Sequence, residues 1–161
     1  MSEPRTALIT GANRGLGHAT AAELRRRGLR VIVTARDGDA AAEAAARIGP
    51  DVRAHPLDVT DPDAAGRAAA RLGAVDVLVC NAGVLLDAGD DPLAVPLDVV
   101  ERTLAVNLLG GWRVAQAFVP GMVKRGWGGG WSSSPAAPGR SARGCGRGRR
   151  RTRCRRPRST G

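Results

Sequence analysis

The chain has 161 residues, enough for one ordinary domain. Its net charge of +10 sits at one end: residues 129–161 hold ten of the 25 Lys and Arg and no acid, and the remaining 15 are matched by 15 Asp and Glu in residues 1–128. No apolar run approaches the roughly 18 residues of a membrane span, residues 1–5 lead into a strand with no signal peptide, and Cys80, Cys145 and Cys154 make neither a metal-ligand spacing nor a disulfide framework, so no metal site and no membrane partner are expected and the default location is cytoplasmic.

Residues 5–10 read as an apolar strand that runs into a glycine-rich turn, LITGANRGLG, with the spacing Thr10-Gly11-x-x-x-Gly15-x-Gly17. Glycine is required where backbone turns tightly or comes close to a ligand. The helix expected over residues 15–28 then points its free N–H groups and positive dipole end at an anion. This is the chemistry of a dinucleotide pyrophosphate site, although the motif by itself also fits an ordinary strand–helix turn. The apolar positions of the helix are Ala19, Ala22 and Leu24, and Gly28 ends it. A second strand over residues 29–34 ends in Thr34-Ala35-Arg36. In a doubly wound fold this end lies beside the adenosine ribose, where an acid suits a free 2′-hydroxyl and a base suits a 2′-phosphate. Arg36, with Arg14 in the glycine turn, favours NADP(H) over NAD(H); Asp37 works against that preference, and a solvated surface charge is the plain alternative for Arg36.

An alanine-rich helix over residues 39–48, closed by Gly49-Pro50, leads to a third strand over residues 52–57. The strand ends in Leu57-Asp58-Val59, where Asp58 either accepts a hydrogen bond from an adenine amino group or caps the next helix. That helix is predicted over residues 61–72, with Asp61 as N-cap before Pro62. The fourth strand, residues 75–80, ends in Asn81-Ala82-Gly83. Small residues there let a nicotinamide ribose pass close to backbone, and Asn81 can pin the turn; an Asn/Gly turn without a ligand is the alternative. Residues 98–124 contain a long helix softened at Gly110-Gly111. Asn107 inside it is a poor mid-helix residue, explained either by function or by a buried amide satisfied by nearby backbone. Apolar strands alternating with helices imply a parallel sheet, and right-handed crossovers make it an α/β, Rossmann-type doubly wound sheet. The expected domain is residues 1–128, truncated after the fourth strand and the long helix. Residues 129–161 contain no Leu, Ile, Val, Met or Phe; they read as a disordered Arg/Gly-rich tail that holds nucleic acid only non-specifically.

Together the glycine motif, Asp58, Asn81-Ala82-Gly83 and Asn107 resemble the short-chain dehydrogenase/reductase family over residues 5 to about 127. GANRGLG with TARD is similar to its NADPH-dependent carbonyl-reductase branch. The resemblance implies a nicotinamide-dependent oxidoreductase acting on a small carbonyl or alcohol, often assembled as a homo-oligomer through the long helix. It places Gly11, Asn13, Arg14, Gly15, Leu16 and Gly17 against the cofactor's phosphates, Arg36 at the ribose, Asp58 and Val59 at the adenine, and Asn81, Ala82 and Gly83 beside the nicotinamide ribose. Asn107 falls on the family's catalytic asparagine, which orders a water in the proton relay.

The resemblance also implies a Tyr-x-x-x-Lys pair and an upstream Ser. The Tyr would act as general acid/base, the Lys would lower its pKa and hold the ribose, and the Ser would steady the substrate oxygen. This chain has no Tyr, its last Lys is Lys124, and Gly128-Gly129-Gly130-Trp131-Ser132 stands where a fifth strand belongs. Read one base out of register, codons compatible with Arg151–Gly161 encode AYPVSKAALNG, which restores the pair, and those of Gly130–Pro135 admit a valine-rich strand ending in Ser. The tail therefore reads as out-of-frame translation after a slip in the codons of Trp127–Trp131. The chain as written is expected to be an inactive member of an NADP-dependent oxidoreductase family, or a catalytically dead NADP-binding protein, with an apolar fourth strand left open.

Overall fold

The computed structural model describes residues 3–86, 91 and 93–126. The expectations for residues 129–161 lie outside the described residues. In chain order the elements are β1 (Thr6–Ile9), α1 (Gly15–Arg26), β2 (Arg30–Ala35), α2 (Gly38–Ile48), β3 (Arg53–Pro56), α3 (Ala64–Leu72), β4 (Val77–Val79), α4 (Leu97–Leu104), a π-helical segment Ala105–Gly110, and α5 (Gly111–Lys124). The strands form one parallel sheet in the order β3-β2-β1-β4. Leu8 stands opposite both Ile32 and Leu78. The chain moves outward from β1 to β3 and then crosses back to β4, so the α/β doubly wound arrangement is present, with its switch point between β1 and β4.

Successive side chains of a strand point to opposite faces. Ala7, Ile9, Val31 and Val33 meet Ala12, Ala21 and Ala45 on one face of the sheet. Leu8 and Ile32 meet Leu57, Val59, Ala65, Ala68, Leu72, Val114 and Phe118 on the other. Both faces of β1 and β2 are covered, which is why these strands read as unbroken apolar runs. The helices approach through alanines: Ala41, Ala44 and Ala45 on α2, Ala65 and Ala68 on α3. At the N-terminal end of the sheet Asp76 accepts from the Thr6 amide at 2.9 Å, and Arg125, just past α5, donates to the Val75 carbonyl.

Four details differ from the sequence-based expectation. On α1 the sheet-facing positions are Gly17 and Ala21, one helical turn apart, and Ala19 is exposed. The third helix begins at Ala64 rather than at Pro62; Asp61 accepts from the Asp63 amide and pairs with Arg67 at 2.6 Å, so it shapes the preceding turn instead of capping the helix. The fourth strand is regular only over Val77–Val79. The softening of the long helix is a widened turn that ends at Gly110, where a Cβ would lie 2.6 Å from Val59 Cγ2. No helix among the described residues is long and apolar enough to cross a membrane.

Candidate functional site

The C-terminal ends of β1, β2, β3 and β4 surround a cavity of about 250 Å³. Gly11, Asn13 and Arg14 come to it from the glycine turn, Arg36 from the end of β2, Asp58 and Val59 from beyond β3, and Ala82 and Gly83 from beyond β4. Four separate strand ends therefore bring eight of the residues singled out in the sequence to one place. A wider hollow of about 570 Å³ lies at the opposite end of the sheet among Glu3, Arg30, Asp51 and Arg53. Ligands of open α/β sheets bind at the carboxyl ends of the strands, so the smaller cavity is the candidate site.

Thr10 organises the floor of this site. Its side chain is buried, its amide donates to Val79 O at 2.9 Å, and its Oγ accepts from the amides of Asn81 at 2.9 Å and Ala82 at 3.0 Å. Asn81 answers with its own side chain, donating to Thr10 O at 3.1 Å and Gly11 O at 3.0 Å. The amide of Asn81 is thus spent on holding the two strand ends together. This lock leaves no room for side chains: Gly11 has φ +62° and a Cβ there would lie 2.8 Å from Ala82 Cα, while a Cβ on Gly17 would lie 2.7 Å from Gly11 O. Gly17 is buried against this lock, whereas Gly15 and Leu16 are exposed on the first turn of α1. The sequence motif contained Thr10 but assigned it no role; the signal was a small polar residue at the buried end of an apolar strand.

Arg14 is the N-cap of α1 and its side chain makes no cap hydrogen bond; the first turn of α1 holds no acid. The leading N–H groups of this 12-residue helix, with the exposed Arg14 and Arg36, fit an anionic group. Asp37 is already engaged: it caps α2 by accepting from the Asp39 amide at 2.9 Å. Asn13 is held through its carbonyl by Arg47 at 3.0 Å. Oδ1 of Asp58 accepts from the amide and hydroxyl of Thr60, at 2.9 and 2.7 Å, which orients the carboxylate and leaves Oδ2 for another donor. Asp58 does not cap α3, which starts six residues later. Val59 packs beneath, in the core.

Asn107 lies in the π-helical segment and is exposed, so of the two readings of this residue the buried amide does not apply. Its Oδ1 accepts from the Val84 amide and its Nδ2 donates to the Val84 carbonyl, both at 2.8 Å. The side chain copies a strand's pairing pattern and fastens the chain beyond β4 to the helix. Asn107 does not line the cavity; Val84 and Val106 do, and they connect it to the site. One amide N–H and one carbonyl lone pair of Asn107 remain available. Cys80 is adjacent, but partial burial pushes its thiol pKa up, so at neutral pH it is a protonated thiol rather than a nucleophile.

With this geometry in view, the family is plain. The sequence profile described as short chain dehydrogenase matches residues 5–129, and the chain belongs to that family. Among its relatives, 1-deoxy-11-beta-hydroxypentalenate dehydrogenase of Streptomyces avermitilis is 41% identical over 131 residues, which cover 77% of this chain and 48% of the relative. The chain thus spans about half the length of the curated relatives it matches. A metagenomic short-chain oxidoreductase solved in complex with NADP superposes with a TM-score of 0.71 at 33% identity, covering 77% of this chain and 59% of that one. A 3-ketoacyl-(acyl-carrier-protein) reductase of Brucella melitensis, solved with NADH, gives a TM-score of 0.70 at 28% identity over 77% of this chain and 52% of its own.

Proposed function

We propose that residues 5–126 are the nucleotide-binding half of an NADP(H)-dependent oxidoreductase acting on a small carbonyl or alcohol. The observation that carries this reading is the convergence of Arg14, Arg36 and Asp58 on one cavity at the uncapped start of α1. The backbone N–H groups at Gly15, Leu16 and Gly17 bind the pyrophosphate. Arg14 and Arg36 bind the ribose 2′-phosphate and outweigh Asp37, whose Oδ1 is engaged in capping α2. Oδ2 of Asp58 and the backbone at Val59 would hold the adenine, Asp58 by accepting from its amino group. Asn81 holds the turn that lets Ala82 and Gly83 run close to the nicotinamide ribose. Asn107 presents its remaining amide N–H to a water of the proton relay. The nicotinamide, when bound, supplies or takes up the hydride.

The chain as written does not complete this reaction. Positioned acid/base catalysis is worth about 10²–10⁴ in rate, and the sequence has no Tyr to provide it. The family profile stops matching at residue 129, beside the Gly/Trp run where the sequence changes character. This supports reading residues 129–161 as out-of-frame translation of a gene whose other frame carries the Tyr-x-x-x-Lys pair. Sequencing that gene through the codons of Trp127–Trp131 decides the point: an alternate frame that closes at once removes this reading.

Calorimetric titration of the purified chain tests the cofactor preference. NADPH should bind at least about tenfold more tightly than NADH, the scale of one charge-assisted hydrogen bond, and Arg36→Asp should abolish the difference. Equal affinities in the unaltered chain would remove the roles given to Arg14 and Arg36.

A further inference from the structure

We propose that the furrow between β3 and α3 is a binding site for a phosphomonoester, held by Arg36, His55, Arg67 and Arg71. The furrow is a cavity of about 310 Å³. It borders the cofactor cavity, with which it shares Arg36, Leu57 and Asp58, and extends from there to His55, Arg67 and Arg71. Strand pairing sets Arg53 opposite Ile32 and His55 opposite Thr34. Ile32 packs with Ala65, Ala68 and Leu72 of α3, so Arg53 and His55 project on the face that this helix covers. On α3, Arg67 and Arg71 stand one turn apart on a single ridge. Every residue of the site lies between positions 36 and 71, well inside the part of the chain that the family profile matches.

The charges of the furrow are unbalanced in the direction that an anion corrects. The side chains of Arg36 and Arg71 make no hydrogen bond or ion pair among the described residues, and neither does that of Arg53, two residues from His55. Asp61 is engaged: it accepts from the Asp63 amide and pairs with Arg67 at 2.6 Å. Asp58 gives one oxygen to Thr60. Three arginines against two aspartates leave one positive charge in surplus, and protonation of His55 makes it two, which a phosphate dianion matches. Burial, then the charges of Arg71 and Arg53, hold the pKa of His55 below its ordinary value; a bound anion offsets those charges. Guanidinium groups offer paired N–H donors to phosphate oxygens, and a protonated imidazole adds another. Pro56, Leu57 and Ala64 make part of the wall apolar, which suits the organic portion of an ester. Of these cations, only Arg36 also serves the cofactor's 2′-phosphate.

The test is a proton NMR titration of the full-length chain with inorganic phosphate and with phenyl phosphate, at an ionic strength held constant with sodium chloride. His18 and His55 are the two histidines, so two imidazole signals report, and His55→Gln assigns them. Both anions should shift the His55 signal saturably and raise its pKa toward about 6.5, because an anion favours the imidazolium. The His18 signal should not move. Phenyl phosphate should bind at least roughly threefold more tightly than the bare ion, through its apolar ring. Arg71 is exposed, so its replacement leaves the fold intact, which circular dichroism checks. Arg71→Gln should weaken both anions about tenfold, the scale of one charge-assisted hydrogen bond; Arg71→Lys, which keeps the charge and loses the fork, should weaken them less. Arg14→Gln should change neither affinity, since Arg14 lines only the cofactor cavity. A His55 signal that follows chloride as it follows phosphate overturns the proposal, as does one that never saturates. So does a response lost with Arg14→Gln and kept with Arg71→Gln, which puts the anion in the cofactor cavity. Equal affinities for ester and ion overturn the assignment to an ester.

Discussion

One hydroxyl, that of Thr10, ties the ends of β1 and β4 together. It serves two amides and donates weakly, at 3.4 Å, to Val79 O. Thr10→Val keeps the shape but leaves the amides of Asn81 and Ala82 without an acceptor. It should cost about 2–3 kcal/mol in urea unfolding, and a loss below about 0.5 kcal/mol would show that the lock is dispensable. Gly17→Ala is predicted to be worse for binding than for folding: the new methyl displaces the Asn81 amide and the Gly11 carbonyl, so the turn that lines the cavity shifts and NADPH affinity falls before the core is breached. His55 gives a pH signature. Burial, then the charges of Arg71 and Arg53, hold its pKa below the ordinary imidazole value. The unfolded chain therefore binds the proton more readily than the folded one, and stability falls as the pH drops from about 6.5 through the lower folded value. His55→Gln should flatten that slope between about pH 7 and 5, measured by unfolding at each pH.

At the scale of elements, helix ends and the π-helical segment carry the information. Alanine-rich sequence located α2 to within a residue, because alanine favours helix and permits close approach to the sheet. The start of α3 was misplaced because Asp61-Pro62-Asp63 satisfies the cap pattern locally while the turn bound to Arg67 wins in the folded chain. Asn107 explains how the long helix and the chain after β4 are joined: a π turn brings its amide into register with Val84. Such turns are frequent at functional sites. Asn107→Ala should cost about 1 kcal/mol and, more tellingly, raise the hydrogen-exchange rate of the Val84 amide while leaving the amides of β2 unchanged. Gly110→Ala should cost about 1–3 kcal/mol, because the added methyl overlaps Val59 and pushes the helix from the sheet.

Across the described residues, burial is concentrated on β1 and β2. β1 and β2 are buried on both faces, while β4 is half-buried and α4 has no buried residue. Native-state hydrogen exchange should follow this gradient, slowest at Leu8, Ile9, Ile32 and Val33 and faster at Val77–Val79 and α4. Uniform protection across the sheet would contradict it. Exposed apolar positions occur at Leu16 on α1 and at Leu97, Leu104, Leu108 and Trp112 in the helical run that follows β4 in the chain.

Sequence alone determined the alternation of strand and helix, the parallel sheet and the cluster of site residues. Each of these rests on local signals: apolar runs, glycine spacing, and residues placed just after strands, which a doubly wound fold brings to one edge. Tertiary structure decided what the polar groups do. Thr10 and the Asn81-Ala82 turn hold each other across 71 and 72 residues, a pairing that exists only once β1 and β4 lie side by side, whereas Asp37 and Asp58 bond amides two residues on, and the fold decides that these local contacts are the ones formed. It also decided the strand order β3-β2-β1-β4, since which strands become neighbours depends on the crossover connections rather than on local sequence.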